Sequence, residues 1–212
     1  LVTVFCLILG YPIAYLMASL PMRTSNLLLI LVLLPFWTSL LVRTTAWIAM
    51  LQAQGVMNDL FVVFGLATED DRFSLIYNKT GTLIAMTHIL LPFMILPLYA
   101  SLERMNIDLI EAAQDLGASR TRAFWDITWP LARPGVIAGC LLVFIPAMGE
   151  YVIPYLLGGP ESLFIGRVLF DEFFINRDWP LASAVAIVLL VLLVFPIVLL
   201  QRYQVRSQET TS

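Results

Sequence analysis

Few residues of this chain are placed to do chemistry, and Glu150 stands out among them. It lies in the apolar run Pro146-Ala-Met-Gly149-Glu150-Tyr151-Val-Ile-Pro154. An ionised side chain at the centre of a membrane helix costs about 2.5–3.5 kcal/mol or more. Two readings stay open. Glu150 is protonated or paired with a cation such as Arg43 to hold a bundle together, or it is a carboxylate that stabilises a cation moving past it. Tyr151 and Tyr155 follow at i+1 and i+5. Their rings can attract an ammonium group, and they equally suit an aromatic belt at a membrane interface. Trp37 carries the same ambiguity. Arg43 in a cation pathway would repel the cargo, which favours a structural or gating pair with its stem reaching toward the surface.

Other chemistry is missing from the sequence. There is no Gly-x-x-x-x-Gly-Lys-[Ser/Thr], and the single lysine, Lys79, follows Asn78, so a phosphate-cradling loop of that kind cannot form. No His-Glu-x-x-His, Gly-x-Ser-x-Gly or Cys-x-x-Cys occurs. Cys6 and Cys140 are isolated in apolar runs and read as packing residues. The one histidine, His88, is expected to bond a neighbouring helix.

The elements that must position these residues are membrane helices. Of 212 residues, 60% are apolar or aromatic and 13% are charged, against about 25% charged in soluble domains. This composition, with a mean hydropathy of +0.89, excludes a disordered chain, a coiled coil and a nucleic-acid binder with a basic surface. Apolar runs cover approximately 1–20, 27–50, 81–101, 135–157 and 181–200, each near the roughly 20 residues a helix needs to cross a bilayer. The segment 56–66 is apolar but too short, and reads as an interfacial helix on the outer surface. The fold class is therefore all-α, a polytopic bundle of about five spans forming a single transmembrane domain over 1–212, with a polar loop at 102–134. The chain opens inside an apolar run with no charge before Arg23. The expectation is that a further N-terminal span precedes it.

Cations near span ends set orientation. Arg23, Arg104, Arg120, Arg122, Arg133, Arg202 and Arg206 fall on one side, seven against the five of Arg43, Arg72, Lys79, Arg167 and Arg177 on the other. The first side, with loop 102–134, is assigned to the cytoplasm. The opposite loops are acidic, with Glu69, Asp70, Asp71, Glu161, Asp171, Glu172 and Asp178 among them. Every span carries proline, and the fourth adds Gly135, Gly139 and Gly149 to Pro146 and Pro154. A helix so interrupted is expected to break and line a pathway.

Loop 102–134 predicts a helix of about two turns, with Asp108 as its cap and Glu111 three residues on. Gly117 suits the left-handed stop. Leu109, Ala112, Ala113 and Leu116 share one face, while Glu111, Gln114 and Asp115 fall mostly on the other. Ser119 is expected to cap a second helix ending before Pro130. A two-turn helix is unstable alone, so it must dock, either under its own bundle or on a partner.

The spacing Glu111-Ala112-Ala113, three residues, Gly117, nine residues, Ile127, one residue, Trp129-Pro130 resembles the EAA signature of ABC importer permeases. Trp129 stands where that family usually has Leu. Pro35-Phe36-Trp37-Thr38, Leu91-Pro92-Phe93-Met94, Asp115-Leu116-Gly117-Ala118-Ser119, Leu157-Gly158-Gly159, Ile165-Gly166-Arg167 and Asn176-Arg177-Asp178-Trp179-Pro180 resemble the spermidine/putrescine branch, and most of all its putrescine type. The resemblance implies a type I importer permease subunit, multi-pass in a bacterial inner membrane, that moves a polyamine and is not an enzyme. Glu111, Ala112, Ala113, Asp115, Leu116 and Gly117 would then couple it to an ATPase; Glu150, Tyr151, Tyr155 and Trp37 would line the pathway. It further implies a second permease subunit as heterodimer partner, two ATPase subunits carrying ATP and magnesium, and an extracytoplasmic binding protein, with no cofactor or metal on this chain and no nucleic acid. The alternative, a secondary transporter of a small cationic solute, would show inverted repeats between halves, and none is seen. A structural membrane subunit with no pathway of its own is the third class.

Overall fold

The structure is a computed structural model. It describes the backbone of residues 1–68, 71–106, 108–159 and 162–209, and side chains as far as Val198. The charges of Glu69, Asp70, Glu161, Arg202, Arg206 and Glu209 lie outside the described residues.

The first apolar run forms α1 (Val2–Ser19). The second does not cross as one helix. It forms α2 (Met22–Leu33), a 3-10 turn (Leu34–Trp37) and α3 (Leu40–Leu51), and the two arms meet at 96°. Hydropathy over 27–50 predicted one span because it records apolar length and not direction; the turn at Pro35 redirects the chain. A short helix, α4 (Val56–Val63), follows. The central helix is α5 (Lys79–Glu103), capped by Asn78, whose side chain accepts from the Thr80 amide. The loop helices are α6 (Asp108–Asp115) and α7 (Arg120–Ala123). A π turn (Phe124–Thr128) joins α7 to α8 (Trp129–Gly149). Beyond the break lie α9 (Val152–Leu157), α10 (Ile165–Phe170), a second π turn (Asp171–Ile175) and α11 (Trp179–Glu209). The described residues hold four helices long and apolar enough to cross a membrane, or five if the bent pair counts as one span.

The core forms where α1 and α8 close on α5. Small residues permit the approach, as between helices in lipid, where packing replaces the hydrophobic effect. Met94 of α5 is wholly buried and fills a notch between Gly10 of α1 and Gly139 of α8. A Cβ at Gly10 would lie 2.9 Å from Met94 Cγ, and one at Gly139 would lie 2.7 Å from Met94 Sδ. Nearer the end of α5, a Cβ at Gly135 would meet Ser101 Cβ at 2.6 Å and the Pro97 carbonyl oxygen at 2.7 Å. By contrast little of α11 is buried as far as Val198.

Polar contacts fix the two ends of the bundle. At one end the buried Ser25 hydroxyl of α2 donates to Tyr99 Oη at 2.8 Å, and Tyr99 Oη donates to Glu103 Oε1 at 2.9 Å. Arg23 and Arg104 therefore share the end from which the 102–134 loop leaves. At the other end α4 is tied down by buried Asn58, which donates to the Gln52 and Phe73 carbonyls and accepts from the Phe73 amide. Arg72 bridges to Asp59 at 2.8 Å. Val56, Leu60, Val63 and Phe64 are exposed and recur at helical spacing, so they form one apolar stripe. Eight residues run about 12 Å, too short to cross, in keeping with the expected interfacial helix.

Gly135→Val forces a branched side chain against Ser101 and Pro97. It should lower the stability of the detergent-solubilised chain by about 1–3 kcal/mol, read as a lower midpoint of thermal unfolding. Gly149→Ala, which would meet nothing within 4 Å, should shift stability by less than about 0.5 kcal/mol.

Candidate functional site

The loop helix α6 rests against the edge of the bundle without being buried in it. None of its residues is buried, and Leu116 at its end is 90% exposed. Its start differs from the sequence expectation: the side chain of Asn106, not Asp108, accepts from the Asp108 amide at 3.0 Å. Asp108 is instead the first residue of the helix, where its charge suits the positive end of the dipole. The stop is as expected. Gly117 has φ +89°, the Gly117 amide donates to the Gln114 carbonyl, and the Ala118 amide donates to the Ala113 carbonyl. These two bonds form a Schellman motif. Packing on its own bundle, one of the two options for this helix, is only partial, with Ile110 and Ala113 half-buried and the other described residues of the helix exposed. Leu109 faces a groove of about 610 Å³ shared with Ser101, Arg104, Asn106, Leu131 and Gly135, while Leu116 is open.

Ser119 caps α7 as expected, accepting from the Arg122 amide at 3.3 Å. The helix it starts does not end before Pro130. It runs from Arg120 to Gly149 through the π turn. The extra residue in that turn lets Pro130 enter α8 at its first turn, and α-helix tolerates proline there. Trp129 packs on Tyr11 of α1, with ring centroids 5.6 Å apart, and Phe124 meets the same ring edge-on at 5.8 Å. The loop is thus joined stiffly to a span on its C-terminal side.

The second cluster lies where the fourth apolar run breaks. Glu150 is not in mid-helix: α8 ends at Gly149, and Glu150 has an extended backbone with ψ 125°. Its Oε1 accepts from the Val152 amide at 2.9 Å and the Ile153 amide at 3.3 Å, so the carboxylate caps α9. Charge-assisted bonds to free amides at a helix start offset the cost of holding a charge in an apolar run. Among the described residues no ion pair joins Glu150 to Arg43. Arg43 stacks over Phe36 at 5.8 Å, and its Nε is buried without a partner.

Tyr151 and Tyr155 gather beside Glu150, but each ring is already engaged. Tyr151 stacks on Phe170 with centroids 4.4 Å apart and planes 9° apart. Tyr155 lies 5.8 Å from the Arg167 guanidinium. Both rings are still partly exposed, at 39% and 49%. Trp37 belongs to a different elbow, the turn between α2 and α3, and is 87% exposed. His88 behaves as expected, its Nδ1 accepting from Trp47 Nε1 at 3.3 Å. Among the described residues no three of His, Cys, Asp or Glu converge as a metal site would require. The residue whose role sequence reading missed is Arg167, which registered only as one outer-side cation and as part of the Ile165-Gly166-Arg167 resemblance. Its carbonyl partners lie eight to thirteen residues earlier in the chain, and no helical or strand period links them.

Comparison with known proteins places this geometry. Residues 10–209 match the family model described as binding-protein-dependent transport system inner membrane component. The chain is 42% identical over 196 residues to the spermidine/putrescine transport system permease protein PotB of Haemophilus influenzae, covering 91% of this chain and 68% of that protein. It is 41% identical over 191 residues to the Escherichia coli protein of the same description, covering 90% and 69%. Among solved structures, a chain of a bacterial alginate ABC transporter, crystallised with an alginate pentasaccharide-bound periplasmic protein, superposes with a TM-score of 0.67 at 20% identity. The match covers 92% of this chain and 73% of that one, a likeness of fold.

If Glu150 caps α9, Glu150→Ala should cost about 1–2 kcal/mol, seen as faster hydrogen exchange at the Val152 and Ile153 amides. Glu150→Asp, which keeps an acceptor near those amides, should restore most of the protection.

Proposed function

This chain belongs to the family of binding-protein-dependent transport system inner membrane components, and from that membership we propose that it is the permease subunit of an ATP-driven importer that brings a polyamine into a bacterial cell. As a permease component it is a transport subunit and not an enzyme. The observation that carries the mechanism is α6. It is exposed and stopped by a glycine, and it is tied to α5 on one side and α8 on the other. A short helix with one open face is suited to a cleft on a separate ATPase. ATP and magnesium would be held by that partner, since the sequence offers no phosphate-cradling loop of its own.

Movement of α6 would be delivered to two spans at once. Only residues 104–107 separate α5 from α6 in the chain, and α7 continues through the π turn into α8. The Ser25–Tyr99–Glu103 chain would carry the same displacement to α2. Two ATPases, one under this chain and one under a second permease subunit, would draw the two coupling helices together on binding ATP. The spans would then tilt between inward and outward access. An external binding protein would deliver the substrate to the acidic outer loops, where Glu172 and Asp178 favour a cation.

A polyamine fits the pathway chemistry. Glu150 gives Oε1 to the start of α9, which leaves Oε2 for an ammonium group in transit. Tyr151 and Tyr155 offer partly exposed ring edges and faces beside it, and Trp37 an exposed ring on the other elbow. Putrescine and spermidine share this chemistry, and competition between them in uptake would decide the preference.

The test is ATP-dependent uptake of radiolabelled putrescine by proteoliposomes containing the whole complex. Glu111→Ala or Gly117→Val should depress uptake and substrate-stimulated ATP hydrolysis together, by tenfold or so for the glycine, whose left-handed backbone a branched residue cannot adopt without strain. Unchanged values for both would remove α6 from the coupling role. Uptake that persists without any ATPase would favour a gradient-driven carrier. Glu150→Gln should weaken uptake of a dication more than it weakens assembly of the complex.

A further inference from the structure

The short helix α9 has six residues, and a helix of that length is not stable by itself. Its two ends are held by opposite charges. At the start sits the Glu150 carboxylate already described. At the end, Arg167 Nη1 donates to the carbonyls of Pro154 at 3.2 Å, Gly158 at 3.4 Å and Gly159 at 3.2 Å. Each charge has the sign its helix end favours. Arg167 Nε also faces Asp171 Oδ2 at 3.6 Å, and the other oxygen, Asp171 Oδ1, is buried without a hydrogen-bond partner. The guanidinium is mostly shielded, with 21% of its side chain exposed. Its charge is spent on these groups and not offered to a passing solute.

Arg167 also reaches the Glu150 end of α9 through its neighbour. Gly166 presses on the turn between α8 and α9, where an added Cβ would lie 2.6 Å from the Glu150 carbonyl oxygen. Adjacent residues of α10 thus hold both ends of α9, Gly166 by close backbone contact and Arg167 by hydrogen bonds. If Arg167 lets go, the Gly158 carbonyl loses its donor, the Pro154 and Gly159 carbonyls keep only the backbone amides of Gly158 and Ser162, and α9 is no longer tied to α10 at that end.

We propose that Arg167 is a positioning residue for transport: acting through α9, it holds the Glu150 carboxylate where the ammonium group of the substrate passes. The proposal rests on the pathway role of Glu150 given above. Lysine would be a poor substitute, because a single ammonium on a flexible stem cannot satisfy the α9 carbonyls and face Asp171 at the same time.

The experiment is a double-mutant cycle in the complete reconstituted complex, with Arg167→Gln and Arg167→Lys each made alone and in a Glu150→Gln background. Arg167→Gln should raise KM for putrescine about tenfold while maximal uptake changes less than about twofold. Arg167→Lys should fall between Arg167→Gln and wild type. In the Glu150→Gln background neither change should add appreciably, because the group being positioned is gone. A wild-type KM for both single variants, or full additivity with Glu150→Gln, would overturn the proposal. If Arg167→Gln does not assemble, Arg167→Lys carries the cycle. Hydrogen exchange at the Tyr155 to Gly158 amides is a second readout, expected to quicken in Arg167→Lys, and unchanged protection there also overturns it. Should the wild-type complex take up no polyamine, the functional reading fails by itself, while the exchange measurement still decides whether Arg167 holds α9.

Discussion

Hydrocarbon offers no partner to a peptide group, so a chain that interrupts its helices inside a membrane must close each interruption from within. This constraint organises the molecule. At the first elbow the Thr38 amide and hydroxyl both donate to the Pro35 carbonyl, and the Ser39 carbonyl accepts from the Arg43 amide. At the second, the Glu150 carboxylate takes the free amides of α9. At the third, Arg167 supplies the carbonyls where α9 ends. The charges of Glu150 and Arg167 are therefore spent first on backbone. Any role they have toward a solute is added to that one.

A permease needs parts that move as units and parts that bend, and the packing separates the two. The approach of α1 and α8 to α5 leaves no room at Gly10, Gly135 and Gly139, and close-packed interfaces of this kind switch as blocks instead of deforming gradually. Aromatic rings extend the block toward the loop, with Phe124 and Trp129 both packed on Tyr11. The places where direction changes are the 96° bend between α2 and α3 and the break around α9. The loop helix α6 touches little of this block, which suits a part that answers to something outside the chain.

The balance of charge around the break also explains how an arginine can sit beside a cation route. Arg167 is neutralised by Asp171 on one side and absorbed by carbonyl dipoles on the other. Glu150 faces no ion-pair partner among the described residues, so the break keeps net acidic character. The sign of the charge left over, more than the number of charges, decides which solutes such an elbow favours.

Much of the architecture was legible in the residues. Apolar runs long enough to span lipid, the separate short helix at α4, the left-handed stop at Gly117 and the cap at Ser119 each depend on residues within a few positions of one another, and local chemistry specifies them. Pro35 signalled a kink in the second run, but hydropathy carries no direction, and only neighbouring helices decide that the arms meet near a right angle. The entry of Pro130 into α8 depended on a π turn that no spacing rule announces. Glu150 could be seen as out of place but not as a cap, because capping requires the helix to end at Gly149, and that ending is chosen by the contacts of α9 with α10. Arg167 was invisible as a functional residue because its partners are brought to it by the folding back of the chain. Local preferences determine which segments are helical; the pairing of polar groups left over at their ends is a long-range problem, solved only when the helices are packed.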